Sequence, residues 1–164
     1  MVVKDRIYKD ILVWEVNFPS DFNIEVDALY FELQDGTLFK DIQTRFESND
    51  VIAKKKVLDL LDLDEIKKKI PDYTKIYIKI FKDIPGFKLW PHLDRIEHKG
   101  FIMINLIDNK NSTTFYDREN NKLFEGLNKK NTGVFHILHK KPFVKHGIEN
   151  TSKEDRYTTI AFIK

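Results

Sequence analysis

Three residues in the second half of the chain carry donor atoms that suit a transition metal. His92 and Asp94 follow the strand-like run Lys88-Leu89-Trp90-Pro91 with one residue between them. In extended backbone, side chains at i and i+2 share a face, so this imidazole and this carboxylate can reach one ion. Taken alone, the pair also fits a surface histidine with an aspartate nearby. His146 lies in Phe143-Val144-Lys145-His146-Gly147-Ile148-Glu149, where alternation puts Val144, His146 and Ile148 on one face. By itself it fits a core histidine as well. Together the three make two imidazoles and one carboxylate, a facial donor set for Fe(II) that leaves three coordination positions open.

A fourth residue turns this donor set towards particular chemistry. Arg156 opens the run Arg156-Tyr157-Thr158-Thr159-Ile160-Ala161-Phe162-Ile163, in which Arg156, Thr158, Ile160 and Phe162 share a face. A guanidinium on an inward face is costly unless paired. Its fork matches a planar, bidentate anion, and the distal carboxylate of 2-oxoglutarate is one, with the Thr158 hydroxyl as a further contact. The competing reading pairs Arg156 with Asp155 or Glu154 at the surface. The turn at 150–155 predicts that this strand runs antiparallel beside the one bearing His146.

The elements that must position these residues are mostly strands. After Pro71, short β-rich runs appear at 75–82, 87–90, 101–107, 113–117, 132–139, 143–149 and 156–163, separated by turn-formers such as Asp83-Ile84-Pro85-Gly86. Many short strands without intervening helices predict a sandwich or barrel. The run 101–107 is apolar on both faces, so one face fills the interior and the other lies under a helix. The first third reads as mixed α and β. A strand spans 11–18, and Ser20 caps a helix through about Leu33 that Gly36 stops. A second helix covers about 51–70 and ends at Pro71. The expected fold is mainly β with N-terminal helices: a double-stranded β-helix, or jelly roll, with helices packed on one sheet. It forms a single domain over 1–164, with 1–71 as mixed N-terminal support and 72–164 as the core carrying the metal site.

Composition narrows the classes. The 164 residues carry 28 Lys+Arg against 26 Asp+Glu, a formal net charge of +2, so no basic footprint for nucleic acid is expected. There is no cysteine, which leaves imidazole and carboxylate as the metal donors. No apolar run reaches the roughly 18 residues of a membrane span, and the chain start lacks a signal-peptide core. The expected location is cytoplasmic.

The segment Phe81-Lys82-Asp83-Ile84-Pro85-Gly86-Phe87-Lys88-Leu89-Trp90-Pro91-His92-Leu93-Asp94 resembles the entry to the iron site in prolyl-hydroxylase-like 2-oxoglutarate oxygenases. The tail from His146 to Arg156 resembles the matching H…N…R segment and is also similar to the aspartyl/asparaginyl β-hydroxylase branch. The resemblance covers about 75–164. It implies His92, Asp94 and His146 as iron ligands, Arg156 as the anchor of the cosubstrate, and Thr158 as the hydroxyl two places on. Asn105 falls where relatives place a polar residue touching 2-oxoglutarate. It also implies Fe(II), 2-oxoglutarate and dioxygen as cofactor and cosubstrates, with hydroxylation of a C–H bond and release of succinate and CO2. Related halogenases replace the carboxylate ligand with a small residue, so Asp94 argues for hydroxylation.

A different reading is a cupin-like jelly roll that binds another metal without 2-oxoglutarate chemistry; such proteins do not need an Arg behind the site. A third is a non-catalytic jelly-roll module that buries the histidines structurally. The substrate class stays open between an amino acid, a protein side chain and a small metabolite, and the oligomeric state is not readable. His136, His139 and His98 read as bystanders, with His98 in a polar connection over 95–100. The segments 95–100 and 108–130 read either as substrate-facing loops or as plain connections.

Overall fold

The structure is a computed structural model and describes residues 1–6, 11–33 and 45–164. The described chain forms β1 (Val2–Arg6), β2 (Val13–Asn17), a 3-10 turn (Val26–Ala28), β3 (Glu32–Leu33), β4 (Arg45–Ser48), α1 (Val51–Asp59) and α2 (Leu63–Lys69). There follow β5 (Ile76–Asp83), β6 (Lys88–His92), β7 (Gly100–Asn105), β8 (Thr114–Tyr116), β9 (Lys122–Glu125), β10 (Thr132–Ile137), β11 (Lys145–Glu149) and β12 (Arg156–Ile163). Two antiparallel sheets result. One has eight strands in the order β1-β2-β10-β7-β12-β5-β4-β3, and the other has four, β6-β11-β8-β9.

Strand alternation divides the large sheet into two apolar faces. Ile78 and Ile80 of β5, Ile102 and Ile104 of β7, and Ala161 and Ile163 of β12 pack with Ala53, Val57, Leu61, Ile66 and Ile70 of the helical segment. The opposite face presents Val13, Phe101, Met103 and Val134 to Phe115 and Val144 of the small-sheet layer. β7 is buried at all six positions because it has a helical layer on one side and the second sheet on the other. Both helices start on aspartate caps. Asp50 accepts from Ala53 N at 2.7 Å, and Asp62 accepts from Glu65 N at 2.9 Å. Each cap satisfies an otherwise orphaned first-turn amide.

Several expectations need correction. The helix expected from Ser20 to Leu33 is absent. Ile24 and Val26, two apart, are the buried pair there, while Tyr30 and Leu33 are exposed. The Asn131 side-chain amide donates to the carbonyls of Pro19 and Phe22 at 3.1 and 2.9 Å, holding that backbone in a non-helical path. Its expected stop at Gly36 lies outside the described residues. The 51–70 helix is two helices that break at Leu60–Asp62, where Asp62 recaps the chain. The helical cover of the sheet therefore comes from this segment alone among the described residues. The turn at 150–155 does not make a hairpin. β11 pairs with β6 and β8, whereas β12 pairs with β5 and β7, so this turn carries the chain from one sheet to the other. No described helix is long and apolar enough to cross a membrane.

Candidate metal centre

β6 is an edge strand of the small sheet, which is why it tolerates Pro91. It ends at His92, directly opposite His146 on β11, and the two rings lie 4.4 Å apart between centroids. Gly147 permits this approach: a Cβ there would stand 2.7 Å from the Leu89 carbonyl oxygen and 3.2 Å from Pro91 N. Asp94, two residues past His92, turns its carboxylate back between the rings. Oδ1 lies 3.7 Å from His92 Nε2 and Oδ2 lies 3.6 Å from His146 Nε2. One donor atom from each residue falls within 4.8 Å of the others. Thus the structure brings together the three residues that spacing singled out.

The donor atoms of the three residues suit a cation. The His92 Nδ1–H donates to the Trp90 carbonyl at 2.8 Å, which fixes the tautomer and leaves the Nε2 lone pair facing Asp94. His146 packs against Phe101 at 4.8 Å, and burial drives its pKa down to about 4, with Asp94 opposing and His92 adding to the shift. Its imidazole is therefore neutral at pH 7 and able to ligate. Burial alone would raise the Asp94 pKa. The adjoining His92 ring, and the charges that His146, His92 and His98 carry when protonated in acid, outweigh that and hold it at about 2. Asp94 Oδ2 and His146 Nδ1 are buried without hydrogen-bond partners among the described residues. A carboxylate oxygen left bare between two imidazoles fits a metal ion.

Arg156 faces the same interior but is not bare. It is 2% exposed, and its NH1 donates to Asp83 Oδ2 at 2.9 Å and its NH2 to Thr113 Oγ1 at 3.1 Å. Asp83, 0% exposed, is also held by Arg45, whose Nε and NH2 donate to Oδ1 and Oδ2 at 2.6 and 2.8 Å. Arg45, Asp83 and Arg156 sit in register across β4, β5 and β12. The expected surface partners of Arg156, Asp155 and Glu154, are not used. Asp155 binds Lys82 instead, and Glu154 lies 4.0 Å from Lys110. Arg156 Nε and Thr158 Oγ1 remain buried and unpartnered among the described residues. The guanidinium touches Met103 Sδ at 3.7 Å, and Phe101, two residues earlier on the same face of β7, touches His146.

Asn105 also faces this layer, but its role differs from expectation. Its Nδ2 donates to the carbonyls of Leu127 and Thr132, and its Oδ1 accepts from Asn109. Both amide hydrogens are used, so it has none to offer a cosubstrate carboxylate; it ties the 106–131 segment to the sheet. His98 is buried rather than in a solvated or substrate-facing loop. It is hydrogen-bonded to the Tyr77 hydroxyl and packed 4.8 Å from Phe162. Within 108–130, β8 and β9 pair as part of the small sheet. His136 is no distant bystander: buried at 2%, its ring stands 6.1 Å from that of His146.

Asp83, Arg45 and Thr113 were missed. Asp83 stands in a run of turn-formers, although alternation from Phe81 places it inward. Thr113 sat at a strand end with no feature to mark it. Arg45 lay in a stretch assigned to no element, so nothing in the local pattern pointed to it.

No family model matches the sequence, and no curated protein matches it either. Solved structures do resemble the fold. A prolyl hydroxylase from Trichoplax adhaerens, in complex with a hypoxia inducible factor oxygen degradation domain peptide fragment, superposes with a TM-score of 0.60 at 10% identity, covering 81% of this chain and 70% of that one. A 2OG-Fe(II) oxygenase family protein from Burkholderia pseudomallei gives 0.57 at 10% identity, covering 84% and 73%. A Pseudomonas putida prolyl-4-hydroxylase gives 0.55 at 11% identity, covering 74% and 72%. The chain thus shares the fold of the prolyl-hydroxylase-like branch of the 2-oxoglutarate oxygenases.

Proposed function

We propose that this protein is a non-haem Fe(II)- and 2-oxoglutarate-dependent dioxygenase that hydroxylates a C–H bond, built on a double-stranded β-helix. The observation that carries the reading is the convergence of His92, Asp94 and His146 on one point, with donor atoms within 4.8 Å and Asp94 Oδ2 unpartnered. His92 and His146 would hold the iron through Nε2, and Asp94 through its carboxylate. Bound Fe(II), with 2-oxoglutarate and dioxygen, supplies the oxidising power for C–H hydroxylation and releases succinate and CO2.

The protein's part is to position and to shield. Arg156 and Thr158 supply the anion subsite, because Nε and Oγ1 are the buried polar atoms there that lack partners. The charge count supports this assignment. Two guanidiniums share one carboxylate, so the buried ladder carries a net positive charge that an incoming carboxylate neutralises. Phe101 and Met103, consecutive on one face of β7, link the metal ligands to the guanidinium. The roughly 7 Å between such positions suits a five-carbon diacid. Phe101 and Phe115 wall the metal side against water.

The substrate is a small molecule or an exposed protein side chain. His92 keeps 31% of its side chain exposed against 12% for His146, so the approach is from the His92 side. The test is an anaerobic titration of the metal-free protein with Fe(II) and then 2-oxoglutarate, recording the visible charge-transfer band of the chelate. The expected result is a band that is lost in His92→Ala and Asp94→Ala. Iron binding without a band would favour a cupin-like protein, and no iron binding would leave a structural module.

A further inference from the structure

Arg45 lies outside the segment that resembles any known motif, and nothing about the metal ligands requires it. It is nonetheless 7% exposed and engages Asp83 through both fork nitrogens, with its guanidinium 4.4 and 4.2 Å from the ring centres of Phe81 and Phe87. Burying this cation costs desolvation free energy that a single structural pair often fails to recover. Asp83 and Arg156 alone would already form a closed, neutral pair. A second buried guanidinium on the same carboxylate therefore calls for an explanation.

The explanation lies in how Asp83 divides its oxygens. Oδ1 goes to Arg45 alone, and Oδ2 is shared between Arg45 and Arg156. Arg156 donates a single hydrogen bond to Asp83, from NH1, and its Nε is left without a partner. Were Arg45 absent, Asp83 would be free to swing both oxygens onto Arg156, as isolated Arg–carboxylate pairs do. The guanidinium would then be satisfied and neutralised from within, with little left to attract an anion.

We infer that Arg45 is a positioning residue of the cosubstrate site: by holding Asp83 bidentately it leaves the Arg156 guanidinium partly unpaired and its charge incompletely compensated, ready for an incoming carboxylate. The inference rests on the assignment of Arg156 to 2-oxoglutarate. Burial and the neighbouring Arg45 both work to lower the Arg156 pKa while Asp83 raises it, as expected where two cations share one anion. The aromatic rings of Phe81 and Phe87 and the register of β4 against β5 fix Arg45 independently of any ligand.

Three variants test this from opposite directions: Arg45→Gln, Asp83→Asn and the double variant Arg45→Gln/Asp83→Asn. In each, the dissociation constant of 2-oxoglutarate is measured anaerobically with Fe(II) bound, alongside Fe(II) affinity and the melting temperature. Arg45→Gln is expected to weaken 2-oxoglutarate binding roughly tenfold or more, the scale of a charge-assisted contact, with Fe(II) affinity unchanged. Asp83→Asn, which removes the competing carboxylate, keeps or strengthens binding. The double variant restores the site charge and recovers most of what Arg45→Gln loses, a non-additivity that simple loss of packing does not produce. Wild-type binding in Arg45→Gln, or a double variant no better than that single one, overturns the inference. If the wild-type protein itself fails to bind 2-oxoglutarate with iron present, it is the functional reading that falls.

Discussion

His92 and His146 are cross-strand partners, and the small sheet that pairs them fixes two of the three proposed metal donors. Asp94 completes the set from a turn only two residues away. Arg156 depends on a longer chain of relations, because its charge is set by Asp83 and Arg45 on neighbouring strands. Replacing it with a side chain of similar volume separates charge from packing. Arg156→Met is expected to raise the 2-oxoglutarate concentration needed for half-saturation by roughly ten- to a hundredfold, the range of a charge-assisted contact worth about 1.5–3 kcal/mol. Unchanged dependence on 2-oxoglutarate in a steady-state assay, or an unchanged dissociation constant, would remove Arg156 from that role. The legibility of these residues follows from distance along the chain. His92, Asp94, His146 and the inward face of Arg156 came from two-residue alternation, which is local. The partner of Arg156 did not, because Asp83 and Arg45 meet it only through sheet register. Alternation puts Asn105 on the inward face, but it cannot say which polar atoms a loop will already have used.

At the scale of elements, β6 and β11 matter most, since their separation is the separation of the imidazoles. Gly147 holds that spacing through close backbone contact with Leu89 and Pro91. A methyl group there meets the β6 backbone at Leu89, Trp90 and Pro91, so relief requires the strands to part at the His146↔His92 register. Gly147→Ala is therefore expected to lower Fe(II) affinity roughly tenfold, as disturbed support of metal ligands commonly does. It should also cost about 1–3 kcal/mol of stability through overpacking. Isothermal titration of the metal-free variant checks the first effect and urea unfolding the second; native iron affinity would show that β6 yields without moving His92. Strand positions were readable because apolar alternation and turn residues recur between 75 and 163. Sheet membership was not. The 150–155 segment looks like a hairpin turn, yet its side chains point elsewhere: the Asn150 amide donates to the carbonyls of Asp83 and Glu154, anchoring the crossing between sheets. The missing helix at 20–33 has the same cause, a remote asparagine that claims its carbonyls.

At the scale of the molecule, the large sheet divides the labour. Its helical side supplies the main apolar core, and its other side hosts nearly all the buried charge and imidazole. Groups of that kind reduce the stability of an unliganded fold, since each is desolvated and several lack partners. Ligands that bind only the folded chain should return that stability, and in a definite order. With Fe(II) at about a hundred times its dissociation constant, the folded state gains about 2.7 kcal/mol. For a chain of this length each kcal/mol moves the midpoint by about 2–4 °C, so the melting temperature should rise roughly 5–10 °C. On the proposed function, 2-oxoglutarate should add a further rise only when iron is present, because the proposed site engages it through the metal as well as through Arg156. Asp94→Ala should abolish both increments while leaving the anion subsite intact. Anaerobic thermal unfolding with iron alone, 2-oxoglutarate alone and both together distinguishes the cases. Equal stabilisation by 2-oxoglutarate with and without iron would mean that the Arg45–Asp83–Arg156 ladder binds the diacid by itself, uncoupled from His92, Asp94 and His146, and the two halves of the site would then have to be regarded as separate.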